Sequence, residues 1–157
     1  MRVGVSGHRN IPAEAISYVR DGLVRAVSDQ GSNLVGISCL AAGADQLFAS
    51  VILEQGGHLH VIIPCRDYET TFSEKADLDS FFLLLDKADH VTNLEYLEPS
   101  EDAYLKAGHR VVDNSDLLIA VWDGEPARGK GGTGDIVKYA RSRGTKVIVI
   151  WPDGVAR

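Results

Sequence analysis

The chain has 157 residues, 45% of them hydrophobic and 24% charged, with a formal net charge of −6. That size and balance are ordinary for one globular domain with a true core. The acidic surplus leaves no broad basic field to draw duplex DNA or an anionic membrane, and no apolar run reaches the ~18 residues that a membrane span needs.

Met1–Gly7 reads as a strand rather than a signal peptide, which points to the cytoplasm. The first strand is expected over Arg2–Ser6. A helix over Pro12–Asp29 follows, with Pro12 at its start, Gly31 just past its end, and Ile16, Val19, Leu23 and Val27 along one apolar face. Leu34–Cys39 is the next strand, then a helix over Gly43–Gln55, a strand over His58–Cys65, and a polar, aromatic loop over Arg66–Ser73. A helix over Ser73–Ala88, a strand over His90–Tyr96, a helix over Ser100–Asn114, a strand over Asp116–Trp122, a helix over Gly134–Arg143 and a strand over Lys146–Trp151 complete the order. The strands are rich in Val, Ile and Leu with little alternation, as suits strands covered on both faces.

Strand–helix alternation over the whole length predicts a single α/β domain, residues 1–157. The expected architecture is a three-layer Rossmann-like open sheet, mostly parallel, with helices on both faces. Ligands in such sheets bind beyond the C-terminal ends of the strands. Four loops should therefore share one rim: 7–11, 40–45, 64–72 and 123–133.

The most informative of these is Arg128-Gly-Lys-Gly-Gly-Thr-Gly-Asp135, set between a strand and a helix. Its bare backbone, at Gly129, Gly131 and Gly132, can approach an anion closely, and the following helix presents unpaired amides and the positive end of its dipole. Thr133 either adds a hydroxyl contact or serves as N-cap. In the first loop, Gly7 turns the chain off the strand, and His8 and Arg9 offer donors to a phosphate. In the second, Ala42 and Gly43 permit close approach, and Asp45 falls in a first helical turn, where a carboxylate suits the dipole. Pro64, Arg66, Asp67, Tyr68 and Phe72 either form a wall and lid over a ring or, for the aromatics, pack locally. Asp123, at a strand end, either accepts from a ribose hydroxyl or turns the chain. Cys39 and Cys65 lack metal-site or disulfide spacing and read as small buried thiols, so neither a metal nor a cofactor is expected. Gly129, Gly131 and Gly134 formally match a dinucleotide fingerprint with Asp153 downstream. The six residues after Trp122 separate that motif too far from its strand for NAD chemistry.

The segments VGVSGHR, SCLAAGADQLFA, VIIP, SDLLIAVWDG and GGTGDIV, in that order, resemble the SLOG superfamily. That group includes the LOG-type phosphoribohydrolases and the DNA-processing protein DprA. The resemblance covers nearly the whole chain and implies a bacterial protein that binds or senses a nucleotide or nucleotide-derived molecule at the rim. The LOG pattern PGGxGTxxE, set on Thr133, places Gly132 on its glycine, Arg128 on its proline and Ile136 on its catalytic glutamate. Asp135 is the nearest acid and Arg110 the nearest candidate for the catalytic arginine. Cleavage of the N-glycosidic bond of a nucleoside monophosphate is thus the alternative function. SCLAAGAD also resembles the DprA motif that holds single-stranded DNA, but the acidic chain and its few aromatics set nucleic acid well behind a small molecule. Oligomeric state stays open, a homo-oligomer paired through helices being one outcome.

Overall fold

The structure is a computed structural model that describes residues 1–28, 33–127 and 129–157. Gly31, expected to stop the first helix, and Arg128 lie outside the described residues. Six strands, β1 (Arg2–Gly7), β2 (Val35–Ser38), β3 (His58–Cys65), β4 (His90–Tyr96), β5 (Leu117–Val121) and β6 (Lys146–Ile150), form one sheet in the order β4-β3-β2-β1-β5-β6. Every pairing is parallel. The five α-helices are α1 (Ala13–Val27), α2 (Ala44–Glu54), α3 (Lys75–Asp86), α4 (Glu101–Asp113) and α5 (Thr133–Ser142). The fold is the three-layer α/β architecture expected from the strand–helix alternation.

The central strands are buried on both faces, and the side-chain period of two divides them between the layers. Val3, Val5, Ile119 and Val121 pack with Val19, Leu23, Phe48 and Ile52 of α1 and α2. Ile37, Ile62 and Leu118 pack with Val111, Val112, Ile136 and Ala140 of α4 and α5. The edge strands differ from expectation, because β4 and β6 each have one covered neighbour and keep exposed positions such as Val91 and Val149. The face of α1 also differs by one residue. Ala15, not Ile16, joins Val19, Gly22, Leu23 and Val27 inside, and Ile16 is 44% exposed. The loop after β3 contains a 3-10 turn, Tyr68–Thr71, which carries Tyr68 into an aromatic cluster with Phe72 and Phe81. Among the described residues no helix is long and apolar enough to cross a membrane.

The strand order positions the site. From β1 the chain builds outward through β2, β3 and β4, then returns across the sheet to add β5 and β6 on the other side. The reversal leaves a crevice beyond the C-terminal ends of β1 and β5, the usual ligand position in such sheets.

Candidate functional site at the strand switch point

A cavity of about 630 Å³ opens at that reversal. This is within the usual size range of small-ligand sites. Its floor is the end of β1, with Val5, Ser6 and Gly7. One wall is the glycine loop and the first turn of α5, and the other is formed by Cys39, Ala41 and Asp45 with Pro64 and Tyr68. The face of α4 closes it with Glu101, Tyr104, Ala107, Gly108 and Val111. A second cavity of about 670 Å³ lies between α1, α2 and α3, lined by apolar Ile16, Leu47, Leu83 and Leu84. It is the larger, but it is a more open groove on a helical face, and its mouth shares Arg9, Asn10 and Arg157 with the crevice. The crevice holds the convergent polar groups, and size alone does not make the groove the site.

The glycine loop is braced from outside. Lys130 pairs with Asp102 on the first turn of α4, and the N–H of Gly131 donates to the Asp135 carboxylate at 3.1 Å. Gly131 has φ +86°, and a Cβ there would lie 2.7 Å from the Leu105 backbone nitrogen. Only glycine combines that backbone with that approach. Gly132 is the N-cap of α5 with ordinary φ −68°. Thr133 is therefore the first helical residue rather than the cap, and Ser6 Oγ donates to its hydroxyl at 3.4 Å. Among the described residues no protein acceptor meets the N–H groups of Thr133 or Gly134, so the helix start keeps open donors beside the crevice.

The second loop is tightly folded. Leu40, fully buried, takes φ +56°, a left-handed conformation that a non-glycine residue adopts only when its surroundings impose it. Ser38 Oγ accepts from the Leu40 N–H at 3.0 Å and donates to the Asp45 carbonyl at 3.3 Å. Gln46 Nε2 donates to the Leu40 carbonyl and to the Asp77 carbonyl of α3. The Asp45 carboxylate accepts from the Ala41 N–H at 3.3 Å. Asp45 is 8% exposed, and burial pushes its carboxyl up to about 7 against the pull of the Ala41 amide, Arg9 and the Cys39 amide. Burial also raises the Cys39 thiol, with Asp45 adding to it and Arg9 opposing. A thiol so held is no activated nucleophile. Arg9 lies over the Tyr104 ring, 5.2 Å from its centroid, at the crevice mouth.

Of the residues expected at the site, Gly7, His8, Arg9, Asp45, Gly129, Gly131, Gly132 and Thr133 meet around the crevice. The role of Gly7 is packing, since a Cβ would strike Ala44 Cβ at 2.4 Å and Val121 Cβ at 2.8 Å. Gly43 sits behind the crevice, and Ala41 rather than Ala42 faces it. His8 Nε2 accepts from the Asp123 N–H at 3.1 Å, and its ring lies edge-on to Trp151 at 5.1 Å. Asp123 does not line the crevice. Its carboxylate lies 3.3 Å from His8 Nε2, pairs with Arg157 Nε at 3.3 Å and accepts from the Glu125 N–H. Burial works to raise that carboxyl, but the Glu125 amide, His8 and Arg157 outweigh it and hold it low.

Asp135 and Arg110 also stand apart. Asp135 turns back to cap Gly131, and Ile136 takes the lining position one residue on. A helix rotates about 100° per residue, so neighbours cannot face the same way. Helices between parallel strands run antiparallel to them, so α4 starts at the rim and lays its stripe from Glu101 to Val111 along the crevice. Arg110 lies between Gly108 and Val111, which both line the crevice, and the rotation of about 100° per residue turns it off that stripe. Glu101, Tyr104 and Arg157 were not foreseen. The spacing of Tyr104, Ala107, Gly108 and Val111 is a helical stripe whose small members signal a close approach.

No family model and no curated protein sequence matches the chain. Solved structures do. DNA processing protein A from Streptococcus pneumoniae superposes with TM-score 0.66 at 18% identity over 94% of this chain and 49% of that one. The Helicobacter pylori protein of the same name, described for its single-stranded DNA binding mode, gives 0.68 at 16% identity over 95% of this chain and 64% of that one. The structural-genomics target TM1055 gives 0.59 at 16% identity over 93% of this chain and 71% of its own. The chain thus spans about half to two thirds of the length of the two DNA processing proteins. A neighbour that binds single-stranded DNA withdraws any support the fold lent to setting nucleic acid aside. With its sheet order and its neighbours in agreement, the chain has a Rossmann-like fold, shared with the two DNA processing proteins and TM1055.

Proposed function

We propose that the crevice binds a nucleotide or nucleotide-derived small molecule, its phosphate against the glycine loop and the start of α5. The observation that carries this reading is the meeting of Gly129–Gly132, the open first-turn amides of α5 and the end of β1 in one cavity at the strand switch point. Bare amides, a helix dipole and a nearby guanidinium together suit a phosphate, and the volume suits a mononucleotide. N-glycosidic cleavage, assisted by Asp135 or another rim carboxylate, is the second reading: neither Asp135 nor Arg110 reaches the cavity, which leaves Asp45 and Glu101 as the carboxyl groups that line it.

Calorimetric titration with nucleoside monophosphates and their nucleosides tests the proposal. Nucleotides are expected to bind, and Arg9→Ala to weaken them about tenfold by removing a charge-assisted contact of roughly 1.5 kcal/mol, with nucleosides little changed. Arg110→Ala should leave both affinities within about twofold. Binding of a single-stranded oligodeoxynucleotide but of no mononucleotide would move the reading to nucleic acid.

A further inference from the structure

The two walls of the crevice differ in chemistry. The glycine loop offers backbone N–H donors. The facing wall offers the Asp45 carboxyl, the Tyr68 hydroxyl and the Cys39 thiol, a set with no positive charge to hold a phosphate. Tyr68 is only 2% exposed, its ring fixed edge-on against Phe72 and Phe81 at 5.6 Å. Its hydroxyl has no hydrogen-bond partner among the described residues. Since no side-chain polar atom sealed from solvent lacks a partner, that hydroxyl reaches solvent, and Tyr68 lines the cavity. A phenol hydroxyl on a rigid ring at a cavity wall is a fixed donor and acceptor that a ligand can meet. Asp45 stands on the same wall, 8% exposed. Amides of Ala41 and Cys39 occupy part of its accepting capacity, and a carboxylate has about four lone-pair sites, which leaves room for a ligand donor.

Resting on the nucleotide reading, we infer that Asp45 and Tyr68 form a sugar subsite that takes the ribose hydroxyls of the ligand and so selects ribonucleotides over deoxyribonucleotides. The wall accepts and donates hydrogen bonds without net positive charge, so it takes a neutral hydroxyl-bearing group. In a nucleotide whose phosphate lies on the glycine loop, the nearest such group is the sugar. A site built to pair a hydroxyl rejects the analogue lacking it, because its own buried polar groups are left unpaired.

The test titrates AMP, GMP, CMP and UMP against their 2′-deoxy and 3′-deoxy forms in the wild-type chain, in Tyr68→Phe and in Asp45→Asn. Both substitutions keep the shape of the side chain. The wild type should favour at least one ribonucleotide at least tenfold over a deoxy form. Each substitution should reduce that preference to about threefold or less, mainly by weakening the ribonucleotide. Ribo and deoxy forms binding equally to the wild type would overturn the subsite while leaving the nucleotide reading in place. A preference unchanged in both variants would also overturn it, moving the discrimination to other residues. Failure of every nucleotide to bind would overturn the subsite and the nucleotide reading together.

Discussion

Asp45→Asn is expected to stabilise the protein at pH 8 by on the order of 4 kcal/mol and to leave it nearly unchanged at pH 3. Burial raises the Asp45 carboxyl from 3.8 to about 7 in the folded chain. Unfolded, it titrates near its ordinary value. Between pH 4 and 7 the folded state holds a proton that the unfolded state has released, so stability falls as pH rises through that window. Above about pH 7 the whole cost is present, and a shift of about three units corresponds to roughly 4 kcal/mol. Asparagine carries no charge to desolvate and escapes the cost. For a chain of this size that is a rise in Tm of roughly 10 °C, read by thermal melts of both proteins across the pH range. The gap between the two melting curves should open between pH 4 and 7 and then stay constant. A variant less stable than wild type at pH 8 would mean that the ionised carboxylate is well solvated or well paired.

Gly43→Ala is expected to have the largest destabilising effect. Gly43 precedes α2 with φ +81° and ψ −121°, a conformation that residues with a Cβ avoid. A Cβ there would lie 2.4 Å from the Arg9 carbonyl oxygen and 2.6 Å from that of His8. The His8 carbonyl also accepts from the Ala44 N–H at 3.1 Å, so the β1 loop cannot move aside without losing that bond. Backbone strain and overlap together should cost roughly 3–5 kcal/mol. Gly56→Ala is the control: φ is +77°, but nothing stands within 4 Å of a Cβ, and the cost should be near 1 kcal/mol. Chemical denaturation distinguishes the two. Equal losses would show that the close contact between the first two rim loops contributes nothing beyond φ.

The elements were legible because apolar runs and helical stripes alternate along the chain, and because the rim follows from parallel order. The boundaries agree with expectation to within two residues throughout. Details that depend on neighbours were not legible. The stripe Ile16–Val19–Leu23–Val27 is apolar at the right spacing, yet the tight floor under α1 takes Ala15 and leaves Ile16 outside. Asp123 and His8 look like ligand residues from their places at strand ends, but Arg157, more than thirty residues away, draws the carboxylate into an ion pair. Arg110 follows glycine and histidine as Arg9 does, but it stands on α4, where the helical rotation gives the crevice to Gly108 and Val111 and turns Arg110 away. Tyr68 was expected in a loop wall. Its unpartnered hydroxyl became visible only once the 3-10 turn had fixed the ring against Phe72 and Phe81.

The most direct test of the central claim is a crystal structure of the protein grown with a nucleoside monophosphate. The phosphate should lie against Gly132–Gly134 at the start of α5, with the sugar toward Asp45 and Tyr68. A nucleotide seated instead in the groove between α1, α2 and α3, against Ile16 and Leu83, would contradict the account.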